Sequence, residues 1–204
     1  MFSAPAWRGG ISDHFDGERF FNPWNRETKT MADLRKWKRE RRPAPWPKWV
    51  EVQPGPPPPG RVEGGALRVT FVNHATVLLQ IDGLNILTDP VWSERASPVR
   101  WAGPRRVHAP GLRFEDLPPI DLALLSHNHY DHMDLAALRR LMREKGARIL
   151  TGLGNSRFLE KKGIQGARDL DWWESAEVEA PGGGGTARIT FVPAQHFSAR
   201  WLND

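Results

Sequence analysis

The sequence contains no cysteine, so disulfides and thiolate metal sites are both excluded. Tyrosine occurs once, against ten tryptophans. No apolar run approaches the roughly 18 residues that a membrane-spanning helix requires. The opening stretch from Met1 to Gly17 lacks the apolar centre of a secretory signal. The cytoplasm is therefore the expected compartment, with peripheral membrane contact as a further expectation. Excess acidic charge is absent too: the net charge is +5 and the pI about 10.0. That balance favours anionic partners, either a small molecule or a lipid, over cationic ones. It is modest, and without an RNA-binding module nucleic acid is not an expected partner. At 39% apolar residues the 204-residue chain has enough hydrophobic material for a core, which argues against wholesale disorder. Nothing in it signals an oligomeric state.

Residues 1–60 read as a Trp/Pro-rich N-terminal extension and linker, and 61–204 as the folded domain. Within the extension, Thr30 to Arg42 (TMADLRKWKRERR) has the pattern of a helix capped by Thr30. Leu34 and Trp37 share one face, and Arg35, Lys36, Lys38, Arg39, Arg41 and Arg42 occupy the rest. Two readings follow: a basic amphipathic helix that meets an anionic surface, or a solvated helix clipped to the domain by Leu34 and Trp37. The second is the expected one. Pro43 to Gly60 is too rich in proline for a strand ladder and reads as a semi-rigid connector. A β-meander follows, Leu67–Val72, Thr76–Ile81 and Leu84–Thr88, with Asp82-Gly83 as a hairpin turn. Asp89-Pro90 closes it. A basic loop then leads to a buried strand at Ile120–Leu125 and a helix at Asp134–Lys145 stopped by Gly146. Further on come a strand at Arg148–Thr151, a helix near Asn155–Lys162 capped by Asn155, a hydrophilic strand, a GGGG loop and a strand at Thr186–Val192.

Between the strand at 120–125 and the helix at 134–145 stands Ser126-His127-Asn128-His129-Tyr130-Asp131-His132. The loop after a buried strand is where open α/β sheets place their ligands. Neutral imidazoles and a carboxylate are the donors that hold zinc while leaving a position open for water. Alternate residues His127 and His129 can turn toward one metal, with Asp131 and His132 facing a second. His196, at the end of another apolar strand, can complete a three-imidazole site.

These pieces resemble the metallo-β-lactamase fold. SHNHYDH is similar to its His-x-His-x-Asp-His motif, and LTDP carries an aspartate placed as the family places one. DHFDGERFFNPW, WPKWVEV, FVNHATVLLQ, LTDPVWSERASP and VPAQHFSARWLND resemble the branch of N-acylphosphatidylethanolamine-hydrolysing phospholipases D. The resemblance implies an α/β chain forming the N-terminal half of a four-layer αββα sandwich. It implies a first zinc on His127, His129 and His196, with Asp131 and His132 belonging to a second. Asp89 would brace the metal loop from behind, and His74 would either line the pocket or be buried for structural reasons. The family's bridging aspartate and last histidine lie further downstream. Asp204 is not read as a stand-in, so at most one zinc is expected on this chain. The implied activity is zinc-dependent hydrolysis of a phosphodiester lipid by metal-activated water, with Asp131 as the catalytic carboxylate. Arg100, Arg105 and Arg106 of the basic loop read as either phosphate contacts or plainly solvated charges, and solvation is the expected reading. Lactonase-like or sugar-phosphate hydrolysis is the alternative within the fold. A non-catalytic binder of anionic surfaces, acting through the basic helix with a silent metal site, is the alternative outside it.

Overall fold

A computed structural model describes residues 7–25 and 30–200; Asp204 lies outside them. The organising element is a six-stranded sheet in sequential order, β1 (Leu67–Asn73), β2 (Thr76–Ile81), β3 (Leu84–Thr88), β4 (Leu122–Leu125), β5 (Arg148–Gly152) and β6 (Ala167–Leu170). The first three strands run antiparallel and the last four run parallel. The β2–β3 turn needs left-handed backbone at both central positions, and Asp82 and Gly83 supply φ of 43° and 82°.

Two helices cover one face. In α2 (Leu135–Lys145), Asp134 caps the start by accepting from the amides of Ala136 and Ala137, and Gly146 ends the helix at φ 68°. α3 (Asn155–Lys161) follows β5. Its capping differs from the expectation: Asn155 is already helical, and Asp169 of β6 reaches across to accept from the amides of Gly154 and Ser156 at 2.9 and 2.8 Å. A carboxylate from a neighbouring strand thus does what a local cap ordinarily does. Beneath the helices lie Ala123, Leu125, Leu138, Ile149, Phe158 and Leu159, with a second cluster around Leu78, Leu87, Phe114 and Leu141.

On the other face the hairpin β7 (Ser175–Glu179) and β8 (Thr186–Thr190) buries Ala176 and Val178 against Ile86, Leu122, Leu150 and Leu170. The layers are therefore helices, mixed sheet and hairpin, an α/β arrangement with β4 buried on both faces as its apolar run predicts. Edge strand β1 leaves Leu67, Val69 and Phe71 more than half exposed on a single face.

The extension behaves in two ways. Its first part docks: Phe15 is buried, and the His14 ring stacks on Trp172 at 4.2 Å while Nε2 bonds to Asp171 at 2.8 Å. The connector has no regular structure but is pinned where Gly55 N donates to Gly111 O and Gln80 Nε2 donates to Pro59 O. α1 (Met31–Glu40) forms as its pattern predicts, with a reciprocal capping box between Thr30 and Asp33. It is not clipped to the domain, however. No residue of α1 is buried, and Leu34 and Trp37 are 51% and 57% exposed. A stripe of two well-placed apolar side chains suffices for an amphipathic helix but does not determine what covers it.

Candidate metal centre

Because β3 and β4 are parallel, the residues after both strands emerge at one end of the sheet, and the β1–β2 turn lies at that same end. Asp89, after β3, fastens these three pieces. Its amide donates to Leu124 O at 2.8 Å, and its carbonyl accepts from Thr76 Oγ1 at 2.6 Å. The buried carboxylate accepts from Ser126 N (2.8 Å), Ser126 Oγ (2.7 Å) and His132 Nδ1 (2.8 Å). Asp89 holds φ at 34°, a left-handed conformation uncommon outside glycine that the surrounding bonds impose.

That network determines which imidazole nitrogens are free. A carboxylate only accepts, so His132 carries a proton on Nδ1, and in the neutral ring Nε2 is the bare, ligating atom. Ser126 Oγ gives its hydrogen to Asp89, so it accepts from His127 Nδ1 at 2.9 Å, and the Nε2 of His127 is bare as well. The free atoms converge. His127 Nε2 stands 2.9 Å from His129 Nδ1, and His196 Nε2 stands 3.2 Å from the same atom. These separations approach the edge of about 3.3 Å expected for nitrogens around a tetrahedral zinc at about 2.0–2.1 Å. A second set adjoins the first. Asp131 Oδ2 lies 3.0 Å from His74 Nε2 and 3.7 Å from His132 Nε2. Within each set every donor atom lies within 4.8 Å of the others. The rings of His127 and His132, one from each set, are 4.1 Å apart, so the sets form a single cluster.

The electrostatics suit cations. Burial, followed by repulsion from His132, His129 and His196, pushes the His127 imidazole down to about 4, leaving it in the neutral, ligating form. Burial and His196 lower His129 likewise. The hydrogen bond to Asp89 raises His132. Burial tends to raise Asp131, but a backbone hydrogen bond and the nearby His132, His74 and His129 together hold it below the ordinary carboxylate value.

His196 lies in a loop after β8, and its neighbours anchor it to the metal loop. Ser198 Oγ donates to Asn128 Oδ1 at 2.8 Å and accepts from Asn128 N at 3.2 Å. The buried Arg200 donates from Nη1 to the carbonyls of Asn128 (2.7 Å) and Met133 (3.0 Å), and its guanidinium lies 4.0 Å over the Tyr130 ring. A cavity of about 600 Å³ opens beside this junction, with Tyr130, Arg100, Arg139 and Arg200 among its walls.

The family description "Beta-lactamase superfamily domain" matches residues 84–204. The chain belongs to the beta-lactamase superfamily. Among curated superfamily relatives, it is 39% identical over 145 residues to an uncharacterized protein of Mycobacterium tuberculosis, covering 70% of this chain and 37% of the relative. It is 38% identical over 144 residues to N-acyl-phosphatidylethanolamine-hydrolyzing phospholipase D 1 of Caenorhabditis elegans, covering 68% and 40% respectively. The chain thus spans about two fifths of the length of these relatives. Among solved structures it is similar to CmlA, a diiron beta-hydroxylase from Streptomyces venezuelae, at 26% identity and a TM-score of 0.46, covering 64% of this chain and 24% of that one.

All the residues picked out in the sequence as ligands lie in the cluster, and Asp89 lies behind it. Of the two readings of His74, the structure agrees with the pocket-lining one: its side chain is 53% exposed and points at Asp131, and its backbone sits at φ 43°. The expectation of at most one zinc rests on the family's bridging aspartate and last histidine lying further downstream; the structure adds His74 beside Asp131 and His132 as a third potential donor of the second set. The sequence reading passed over Ser126, Ser198 and Arg200. Their signal was adjacency, since each lies within four residues of a ligand in a quoted motif. Of the candidate phosphate contacts, Arg105 pairs with Glu94, Arg106 donates to Ser93 O at 2.9 Å, and Arg100 lines the cavity.

Proposed function

We propose that this end of the sheet holds two zinc ions, one on His127, His129 and His196 and one on His74, Asp131 and His132, and hydrolyses phosphodiesters of the N-acylphosphatidylethanolamine class. The observation that carries the reading is the pair of adjoining donor sets, with the tautomers of His127 and His132 fixed by one buried carboxylate. The choice of a phosphodiester is supported by the kinship with a phospholipase D and by the cationic side chains in the neighbouring cavity.

Zinc, when bound, supplies Lewis acidity that makes water nucleophilic near neutral pH and offsets charge on phosphoryl oxygens. The chain's own residues do the rest. Asp131, ionised at neutral pH, takes the proton that water loses as its oxygen bonds to phosphorus and passes it to the alcohol oxygen as that bond breaks. His74 and His132, as the other holders of the second ion, would fix where that carboxylate stands. Asp89 and Ser126 keep the donor nitrogens aimed as charge builds, so little reorganisation accompanies the reaction.

Zinc-loaded protein should cleave N-acylphosphatidylethanolamine in mixed micelles, lose that activity to a chelator, and lose about 10²–10⁴-fold on Asp131→Asn. A zinc-loaded chain that opens a lactone but leaves the phosphodiester intact would overturn the substrate assignment.

A further inference from the structure

We infer that α1 is an interfacial helix that lays this protein on an anionic lipid surface. The inference stands on the helix alone and does not depend on the metal centre or its substrate.

At 100° per residue, Met31, Leu34 and Trp37 fall within an arc of about 120°. All three are solvent-exposed, at 65%, 51% and 57%, and no residue of the helix is buried against the domain. An ordinary surface helix turns such a stripe inward. Here the stripe faces water on a helix whose start is secured by a capping box and whose end is closed by Arg41 N donating to Trp37 O at 2.8 Å. The charge is arranged around the stripe. Arg35 and Arg39 continue around the wheel from Met31, Lys38 falls between Leu34 and Met31, and Asp33 and Glu40 lie beyond Trp37. The guanidinium of Arg41 lies 5.0 Å over the Trp37 ring. From Thr30 to Arg42 there are six cations and two acids, a net +4 within a chain whose total is +5. The connector beyond exposes Trp46 and Trp49 at 77% and 45%.

An apolar stripe with long cationic side chains along one side is the design of a helix lying at the level of lipid headgroups. The apolar residues enter the acyl boundary, the cations reach back to phosphate, and tryptophan settles at the interface. A nucleic-acid surface would satisfy the cations but leave Met31 and Leu34 in water. The lipid surface is the occupant that uses both halves of the helix.

The test uses the full chain with two kinds of vesicle, phosphatidylcholine alone and phosphatidylcholine mixed with an equal amount of phosphatidylserine. Co-sedimentation and tryptophan emission report binding. The protein should bind the mixed vesicles, with a blue shift in emission, should bind neutral vesicles at least about tenfold more weakly, and should be released by salt but not by a chelator. The double variant Leu34→Ser/Trp37→Ser should weaken binding to mixed vesicles at least about tenfold. The double variant Arg35→Glu/Arg39→Glu should abolish the preference for phosphatidylserine. None of these side chains is buried, so circular dichroism and thermal unfolding should not change. Equal binding of wild type and both variants would overturn the inference. So would tighter binding to a single-stranded oligonucleotide that the Leu34→Ser/Trp37→Ser variant retains. Binding that chelation removes would assign the contact to the metal centre instead and overturn the role of α1.

Discussion

Replacing Asp89 with asparagine changes one atom and should disable half of the metal cluster. The carboxylate accepts three hydrogen bonds, two from Ser126 and one from His132 Nδ1, all between 2.7 and 2.8 Å. An amide can still accept from Ser126 N through its oxygen. Its NH₂, however, now stands where Oδ2 was, facing the hydroxyl of Ser126 and the Nδ1–H of His132. Ser126 can rotate its hydroxyl and accept instead. His132 can avoid the clash only by moving its proton to Nε2, the atom that belongs to the second donor set. An imidazole protonated there cannot ligate. Asp89→Asn should therefore weaken the second zinc by about 10–100-fold, the usual cost of losing an orienting partner behind a histidine ligand. The first zinc should be affected much less, because only the Ser126 bond to His127 is disturbed. Stability of the metal-free protein should fall by about 1–2 kcal/mol, since one hydrogen bond to a charged group is lost and two are rearranged. Asp89→Ala, which strands Ser126 and His132 together, should cost about 2–4 kcal/mol. At this chain length that is roughly 2–4 °C in Tm per kcal/mol. Zinc calorimetry reads the two affinities, and NMR of the imidazole nitrogens reads the tautomer of His132. Undiminished binding of both zinc ions by Asp89→Asn, with the His132 proton on Nε2, would refute the tautomer argument.

His74→Ala should lower the zinc stoichiometry from two to one and leave the tighter site within about threefold of its original affinity, whereas a loss of both sites would show that the donor sets do not act separately. Arg61→Met should destabilise the fold by about 2–3 kcal/mol in urea titration. It removes a bidentate partner, at 2.6 and 3.0 Å, from Asp121, whose nearly buried carboxylate also accepts from Asn85 N. Adding Asp121→Asn to it should recover part of that loss. Asp169→Ala should cost about 1–2 kcal/mol through the start of α3, where its carboxylate accepts from two amides and a hydroxyl, and hydrogen exchange should speed up there before it does in α2.

The parts of this molecule readable from the sequence share a physical property: their cause is local. The turn at Asp82-Gly83 needs two adjacent positive φ values, the start of α2 needs an acceptor beside its first amides, and β4 needs an apolar run with no polar alternation. Each requirement is met by neighbours in the chain. The histidines of the metal loop belong here too, because donors packed within six residues converge almost wherever the backbone turns. The capping of α3 was not readable for the opposite reason. Its acceptor, Asp169, arrives from the next strand, and nothing near Asn155 announces it.

His74 is the more instructive case. Seen along the chain it is a single histidine in a turn, and such residues are more often structural than ligating. It reaches Asp131 because three separate facts of the fold coincide. β1 and β2 pair with an irregularity between Phe71 and Asn73, Asn73 Nδ2 is held by Val91 O, and Thr76 is tied to the carbonyl of Asp89. The residue left between those two fixed points is pushed to a φ of 43°, with its imidazole turned outward over the end of the sheet. Relaxing that turn should therefore be felt at the second zinc without removing any donor. Thr76→Val keeps the β-branched shape and the burial but deletes the hydroxyl that holds Asp89 O at 2.6 Å and accepts from Val91 N at 3.1 Å. It should cost about 1–3 kcal/mol, because the buried carbonyl and amide both lose their partner. It should also weaken the second zinc by up to about tenfold while leaving the first essentially unchanged. Unchanged affinity at the second site would mean that the turn held by this hydroxyl has no part in placing His74.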